Sequence, residues 1–244
     1  MKIGIYLGDI IKPYSVGGLT FELSFVEELL KQNTTHEFVF YYFGEKDVFK
    51  NRENFKFVNL HYYNKPEISF SPFCIKSYKT PIFSLNYILK RDCINLMCFL
   101  VPYLHEHIEI PYFAVIRDVA HRILPHFPEF SSNRVVMKME KKLNLFLTFA
   151  SKIITCNNTA KNDIRTLYDV ISENITTIPL SYPNWIEKVK GDGRVLDRND
   201  LSKNSYILYP AQFWTHKNHI RLVLASQIMK EQNINLKIVF TGLD

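Results

Sequence analysis

The chain has 244 residues, of which 47% are hydrophobic, 14% aromatic and 22% charged, a composition typical of a folded globular protein rather than a disordered one. Its net charge of +6 suits a phosphorylated small molecule, an anionic membrane surface or nucleic acid as a partner, or a general excess of lysine without such a partner. The sequence contains no RNP1 segment or zinc finger, which argues against nucleic acid.

Continuous apolar runs alternate with helical patterns along most of the chain. Helical spacing of apolar residues occurs at residues 19–30, 82–90, 135–150 and 159–168. Strands are predicted at residues 2–7, 37–43, 55–60, 96–101, 112–116, 152–156 and 175–178. Because these strands are apolar along their whole length, we expect them to be buried on both faces, as parallel strands are. The pattern predicts an α/β fold with a Rossmann-like, doubly wound parallel sheet.

The composition changes at residues 186–205, which are polar, contain two glycines and show no apolar period. We interpret this stretch as a linker between an N-terminal Rossmann-like domain, residues 1–185, and a second domain that begins at residue 206. Residues 206–244 predict one strand, one helix and one further strand. A single such unit cannot bury both faces of a parallel sheet, so we expect the second Rossmann-like domain to be incomplete.

Four cysteines are scattered without a CxxC pair or zinc-like spacing, and such scattered thiols favour a reducing compartment. The N-terminus does not resemble a signal peptide. The longest apolar stretch, residues 94–104, is about half as long as a spanning helix requires. The sequence therefore predicts a cytoplasmic protein, with at most peripheral contact with the inner face of an anionic membrane.

Two segments follow predicted strands, where doubly wound sheets bind ligands. Gly17 and Gly18 open a predicted helix, whose free N–H groups suit a phosphate or a hydroxyl-rich ligand. Asp118 and His121 follow the strand at 112–116, as a hydrogen-bond acceptor and a proton-handling group. A structural glycine pair and an ordinary capped turn are the alternatives.

The third segment, YPAQFWTHKNH at residues 209–219, joins a predicted strand to a helix. Lys217 stands at the helix start, where the helix dipole disfavours a cation unless an anion lies between them. A diphosphate is such an anion. The alternative is a solvated lysine beside packed aromatic residues.

These segments resemble family 4 retaining glycosyltransferases, which have the two-domain GT-B fold. The sequence YILYPAQFWTHKNHIRLVLA is similar to the opening of that family's C-terminal domain, and RDVAHRILPHFPEFS to its Asp-x-x-His loop with a Pro-Glu-Phe stretch. ASKIITCNNTAKNDI and GGLTFELSFVEELLK resemble its strand–helix unit and its first glycine loop and helix. The resemblance implies transfer of a sugar, with retention, from a nucleotide-sugar to a surface glycan or lipid-linked saccharide.

The resemblance also implies roles for individual residues. Asp118 and His121 are expected to be catalytic residues on the acceptor side of the cleft, within an acceptor-side N-terminal domain. The residues expected to bind the donor and its phosphates are Gly17, Gly18, Gln212, Lys217 and Asn218. Lys217 would neutralise the departing diphosphate, so that neither a metal nor another cofactor is needed.

The chain departs from the family pattern in ways that leave an alternative open. Gln212 stands where many members have arginine, and Arg117 where many have histidine. The family's Glu-x7-Glu motif is expected beyond Asp244, so the isolated chain is expected to be inactive and to bind donor poorly. The alternative is a non-catalytic Rossmann-like binding module or an inactive truncated remnant.

Overall fold

The computed structural model describes residues 1–10, 16–44, 55–60, 84–103, 105–131, 133–182, 186–188, 190–191 and 193–242. The chain divides into two units. Unit 1 comprises Met1–Val119 and Arg134–Pro183, and unit 2 comprises Ala120–Asn133 and Asn184–Asp244. Within the described ranges the α-helices are α1 (Val16–Leu29), α2 (Leu85–Arg91), α3 (Ala120–Ile123), α4 (Asn133–Phe149), α5 (Asn158–Tyr168), α6 (Arg194–Arg198) and α7 (His219–Glu231). The 3-10 helices are Pro128–Phe130, Ser172–Asn174, Ile186–Lys188 and Thr215–Lys217.

Unit 1 contains a parallel sheet of seven strands. The strands are β1 (Lys2–Asp9), β2 (Glu37–Phe43), β3 (Lys56–Asn59), β4 (Leu96–Phe99), β5 (Tyr112–Val115), β6 (Lys152–Thr155) and β7 (Ile175–Thr177). Their order is β3-β2-β1-β4-β5-β6-β7, and each neighbouring pair is parallel. This confirms the predicted Rossmann-like sheet.

Both faces of this sheet are covered by apolar side chains. Neighbouring residues of β1 point to opposite sides, so Ile5 and Leu7 join one cluster with Val26 of α1, while Tyr6 joins the other. The second cluster includes residues of α2, α4 and α5. Burial on both faces explains why the strands are continuous apolar runs rather than alternating ones.

The direction of strand order reverses between β1 and β4, where doubly wound sheets open a crevice at the carboxyl ends of their strands. Gly8 stands near the end of β1 with a φ of +77°, which favours glycine. A Cβ atom at this position would lie 2.5 Å from Cγ2 of Val101. The close approach of the chain after β4 therefore requires glycine here.

Unit 2 contains a second, smaller parallel pair, β8 (Tyr206–Pro210) and β9 (Lys237–Thr241), joined by α7. This is the predicted strand–helix–strand unit. The segment predicted as a linker, residues 186–205, includes the 3-10 helix Ile186–Lys188 and α6. Apolar side chains of this unit are exposed, among them Leu208, Ile220, Val223, Leu224 and Ile228.

Candidate functional site

The two predicted catalytic residues lie close together in the chain but belong to different units. Asp118 is exposed and follows β5, at the carboxyl edge of the unit 1 sheet. His121 lies in the short helix α3 of unit 2, with only 9% of its surface exposed. Both make interactions with neighbouring groups. Their assignment as catalytic residues stays a prediction.

The predicted glycine pair lies in the first turn of a helix. Because α1 begins at Val16, Gly17 and Gly18 are in its first turn, where backbone N–H groups have no intrahelical partner. Helix α1 follows β1, so its N-terminus lies at the same edge of the unit 1 sheet as Asp118, which follows β5. This edge therefore combines helix N–H groups with a carboxylate.

One buried acidic residue at this edge was not predicted from the sequence as a site residue. Glu22, one turn along α1 from Gly18, is 4% exposed, and its Oε1 lies 3.9 Å from Nη1 of Arg117. That distance is too long for a hydrogen bond, and Oε1 of Glu22 has no hydrogen-bond partner in the described part of the chain. Burial raises the pKa of Glu22 to about 7, although the charge of Arg117 opposes the shift.

The backbone of Arg117 is held by a neighbouring strand. The thiol of Cys156, which directly follows β6, donates to the carbonyl oxygen of Arg117 at 3.1 Å. The side chain of Arg117 is 35% exposed, whereas that of Glu22 is 6% exposed. Arg117 is thus the solvent-facing member of a charged pair that stands directly before Asp118.

In unit 2, the predicted phosphate-binding lysine stands two residues before the main helix. Lys217 is exposed and ends the 3-10 helix Thr215–Lys217. Asn218 then adopts a left-handed conformation with a φ of 56°, and α7 begins at His219. The hydroxyl of Tyr209, in β8, donates to the carbonyl oxygen of Lys217 at 2.8 Å. The strand therefore fixes the backbone that carries Lys217.

Gln212 lies in the loop after β8 and is half-buried. Its backbone is approached closely by Gly242, where a Cβ atom would lie 3.0 Å from Cα of Gln212 and would collide with the carbonyl oxygen of Ala211. Arg221, in the first turn of α7, is exposed like Lys217. Arg221 was not predicted as a site residue, although it places a second cation in the first turn of α7.

A long-range contact within unit 2 orders the residue before Lys217. Oε1 of Glu129 lies 3.5 Å from Nδ1 of His216 and accepts the backbone N–H of His216 at 3.4 Å. Phe127 and Phe130 place their rings 6.1 Å and 5.2 Å from that of His216. Burial raises the pKa of Glu129, but hydrogen bonds from nearby backbone amides and from His216 outweigh it and lower the pKa below its usual value.

A cavity of about 330 Å³ in unit 1 lies elsewhere. It is lined mainly by apolar side chains of α4 and of residues 103–112, including Tyr103, Ile108 and Phe146. None of the predicted site residues lines it. In the ranges that the structure describes, no three His, Cys, Asp or Glu residues are grouped so that they could hold a metal ion.

No protein-family model and no curated protein sequence matches the chain. Among solved structures, it is similar to a glycosyltransferase from Rickettsia africae ESF-5, with 12% identity, a TM-score of 0.44, and coverage of 100% of this chain and 68% of that one. It is also similar to a UDP-N-acetylglucosamine 2-epimerase from Rickettsia bellii, with 15% identity, a TM-score of 0.49 and coverage of 98% and 61%. A variant of the wall teichoic acid polymerase TagF is similar too, with 12% identity, a TM-score of 0.45, and coverage of 97% of this chain and 55% of that one.

These likenesses are distant, and the chain spans only 61% and 55% of the last two structures. The assignment of the fold therefore rests on the observed order and parallel pairing of the seven strands.

Proposed function

We propose that this chain is part of a glycosyltransferase that moves a sugar from a nucleotide-sugar donor to a surface glycan or a lipid-linked saccharide. The observation that carries the proposal is Lys217, an exposed cation two residues before the start of α7. In this proposal the donor's diphosphate binds at the start of α7, and the acceptor binds at the edge of unit 1 that carries Asp118.

The electrostatics of the α7 start favour an anion. A helix N-terminus carries partial positive charge, which attracts phosphate. Lys217 precedes the helix and Arg221 lies in its first turn, and both are exposed. Two cations beside a positive helix end repel each other and the helix dipole, and a bound diphosphate would relieve that repulsion.

The proposed chemistry follows from this charge. As the bond between sugar and phosphate breaks, negative charge accumulates on the leaving diphosphate, and Lys217 stabilises it. Gln212 and Asn218 are proposed to add neutral hydrogen bonds to the phosphates, and Gly17 and Gly18 to let the substrate approach the α1 backbone. The proposal that the sugar's configuration is retained rests on the motif resemblance alone.

A non-catalytic binding module is the second candidate function. The burial of His121, at 9% exposure, favours it because a proton-handling group must reach its substrate. Both candidates predict diphosphate binding at Lys217, but only the enzyme consumes a nucleotide-sugar. NMR of the donor's anomeric signal over time separates them when it is recorded on the whole proposed transferase, since this chain alone is expected to be inactive.

Peripheral contact with an anionic membrane on the cytoplasmic side is proposed in addition. Met137, Lys141, Leu145 and Phe149 are exposed and follow one another every four residues along α4, so they form one apolar and basic ridge. No described helix is long and apolar enough to cross a bilayer. Co-sedimentation with anionic vesicles that disappears at high salt supports this contact, and equal binding to neutral vesicles contradicts it.

The proposed ligand class can be tested by calorimetry on this chain. We expect UDP, GDP or dTDP to bind weakly, with inorganic pyrophosphate competing and the corresponding nucleosides failing to bind. Nucleosides that bind as well as the diphosphates, or pyrophosphate that does not compete, would show that the phosphates are not what the chain recognises.

A further inference from the structure

We propose that Glu22 and Arg117 together bind a neutral hydroxyl group of the sugar acceptor, a role that rests on the proposed transferase function. Glu22 belongs to α1 and Arg117 follows β5, so the pair lies at the carboxyl edge of the unit 1 sheet. Neither residue was predicted from the sequence to contact substrate. The pair would make Glu22 a specificity-determining residue on the acceptor side.

A purely structural role explains Glu22 poorly. Its neighbours in α1 include Phe21, Leu23 and Val26, which pack in the apolar cluster on that face of the sheet. A buried carboxylate with an unpartnered oxygen destabilises a fold, whereas an apolar side chain of similar size would not. Arg117 does not compensate fully, because 3.9 Å separates Nη1 from Oε1 of Glu22.

The geometry of the pair specifies the chemistry of its ligand. Oε1 of Glu22 can only accept a hydrogen bond when ionised, and the Arg117 guanidinium can only donate. A hydroxyl group does both, so one ligand hydroxyl could donate to Glu22 and accept from Arg117. Because Oε1 of Glu22 is covered in this structure, the Arg117 side chain would have to move to admit it. When Glu22 is ionised, an ionised phosphate oxygen cannot donate to it and is repelled by it. The pair therefore selects a neutral hydroxyl over a phosphate.

The exposure of the two side chains indicates how such a ligand enters. The side chain of Glu22 is 6% exposed and that of Arg117 is 35% exposed. A ligand hydroxyl would meet Arg117 first and then reach Glu22 from that side. The donor diphosphate is proposed to bind at Lys217 in unit 2, so the two ligand groups have separate protein partners.

Binding of simple glycosides tests this proposal. Methyl glycosides of glucose, galactose, mannose and N-acetylglucosamine are titrated into the chain and followed by saturation-transfer NMR. At least one is expected to bind, and Glu22→Leu is expected to weaken it by roughly tenfold or more. The Glu22→Leu variant should melt no lower than the wild type, because it removes an unpartnered buried carboxylate. The control is Glu27→Gln, which changes an exposed glutamate of the same helix. It should change neither the glycoside affinity nor the melting temperature.

Several outcomes overturn the proposal. It fails if no glycoside binds, or if binding is the same in Glu22→Leu and the wild type. If Glu22→Leu does not fold, the isosteric Glu22→Gln decides, with about threefold or greater weakening expected and unchanged binding counting against the proposal. Binding of UDP, GDP and dTDP to the wild type is measured in parallel. If none of the three binds, the proposed function is contradicted. If one of them binds but glycoside binding does not depend on Glu22, this inference alone is overturned.

Discussion

Glu129 and His216 are paired in unit 2 although 87 residues separate them in the chain. The carboxylate both faces Nδ1 of His216 at 3.5 Å and accepts the backbone N–H of the same residue at 3.4 Å. Because His216 directly precedes Lys217, this contact holds the start of the proposed phosphate site. The segment Ala120–Asn133 thus contributes to unit 2 through a defined polar contact.

The Glu129–His216 contact predicts how Glu129→Gln should behave. A glutamine side chain is a weaker hydrogen-bond acceptor than a carboxylate, so the charge-assisted hydrogen bond is lost. The backbone amide of His216 should therefore exchange with solvent several times faster in the variant than in the wild type. Hydrogen exchange followed by NMR measures this directly. Glu231→Gln removes an exposed carboxylate from the same unit and should leave His216 unaffected. Unchanged exchange at His216 in Glu129→Gln would show that the pair does not order this loop.

The raised pKa of Glu22 predicts that the folded chain becomes less stable as the pH rises. Burial raises the pKa of Glu22 in the folded chain from 4.5 to about 7, so the folded chain binds this proton more tightly than the unfolded chain. Between these two values the free energy of unfolding should decrease with rising pH, by at most about 1.4 kcal/mol per pH unit. Glu22→Gln stays neutral and should remove this slope. Urea unfolding across the window measures it, and identical slopes in both proteins would contradict the prediction.

The lowered pKa of Asp92 predicts the opposite dependence, in which stability decreases as the pH falls. Its carboxylate accepts hydrogen bonds from Tyr41 at 2.9 Å, Lys56 at 2.8 Å and Arg91 at 3.1 Å. Burial raises the pKa of Asp92, but these bonds outweigh it, so the pKa lies below 3.8. The stabilisation is present above that value and is lost as the pH falls through the lowered pKa.

Replacing Asp92 tests this network at neutral pH. Asp92→Ala removes the carboxylate that accepts hydrogen bonds from Tyr41, Lys56 and Arg91, and should lower the free energy of unfolding by about 3 kcal/mol. Glu109→Ala removes an exposed carboxylate from the same unit and should change it by less than about 0.5 kcal/mol. If chemical denaturation gives the same change in the free energy of unfolding for Asp92→Ala and Glu109→Ala, the network around Asp92 does not stabilise the fold.

Asp118 and His121 are predicted to affect turnover in a full-length enzyme. Asp118 is exposed, so Asp118→Asn should reduce kcat by about tenfold or more while the melting temperature stays near that of the wild type. His121 is buried, so His121→Ala should reduce both kcat and stability. Unchanged kcat in Asp118→Asn would remove Asp118 from the proposed catalytic residues.

The fold could be predicted because each strand is a continuous apolar run that local sequence reveals. The prediction for β2 matches at both ends, Glu37–Phe43. Boundaries set by backbone geometry were less accurate. The last helix was expected from Lys217 but begins at His219, because the chain first forms a 3-10 turn and Asn218 takes a left-handed conformation. Apolar spacing does not reveal such a turn.

The residues of the site differ in how far sequence could reveal them. Glu22 could have been identified from the sequence. It lies three residues after Leu19 and four before Val26, on the helical face that the apolar spacing assigns to the core. A carboxylate on that face is unusual and marks a candidate site. The pairing of Glu129 with His216 could not have been predicted, since local sequence patterns do not show which distant segments pack together.

The central claim, that a donor diphosphate binds at Lys217, is tested most directly by calorimetry with UDP on Lys217→Ala. A charge-assisted contact to phosphate contributes roughly 1.5–3 kcal/mol, so the variant should bind UDP about ten- to a hundredfold more weakly than the wild type. Lys230→Ala, which removes an exposed lysine from the other end of α7, should bind UDP like the wild type. Equal UDP affinity in Lys217→Ala and the wild type would contradict the claim.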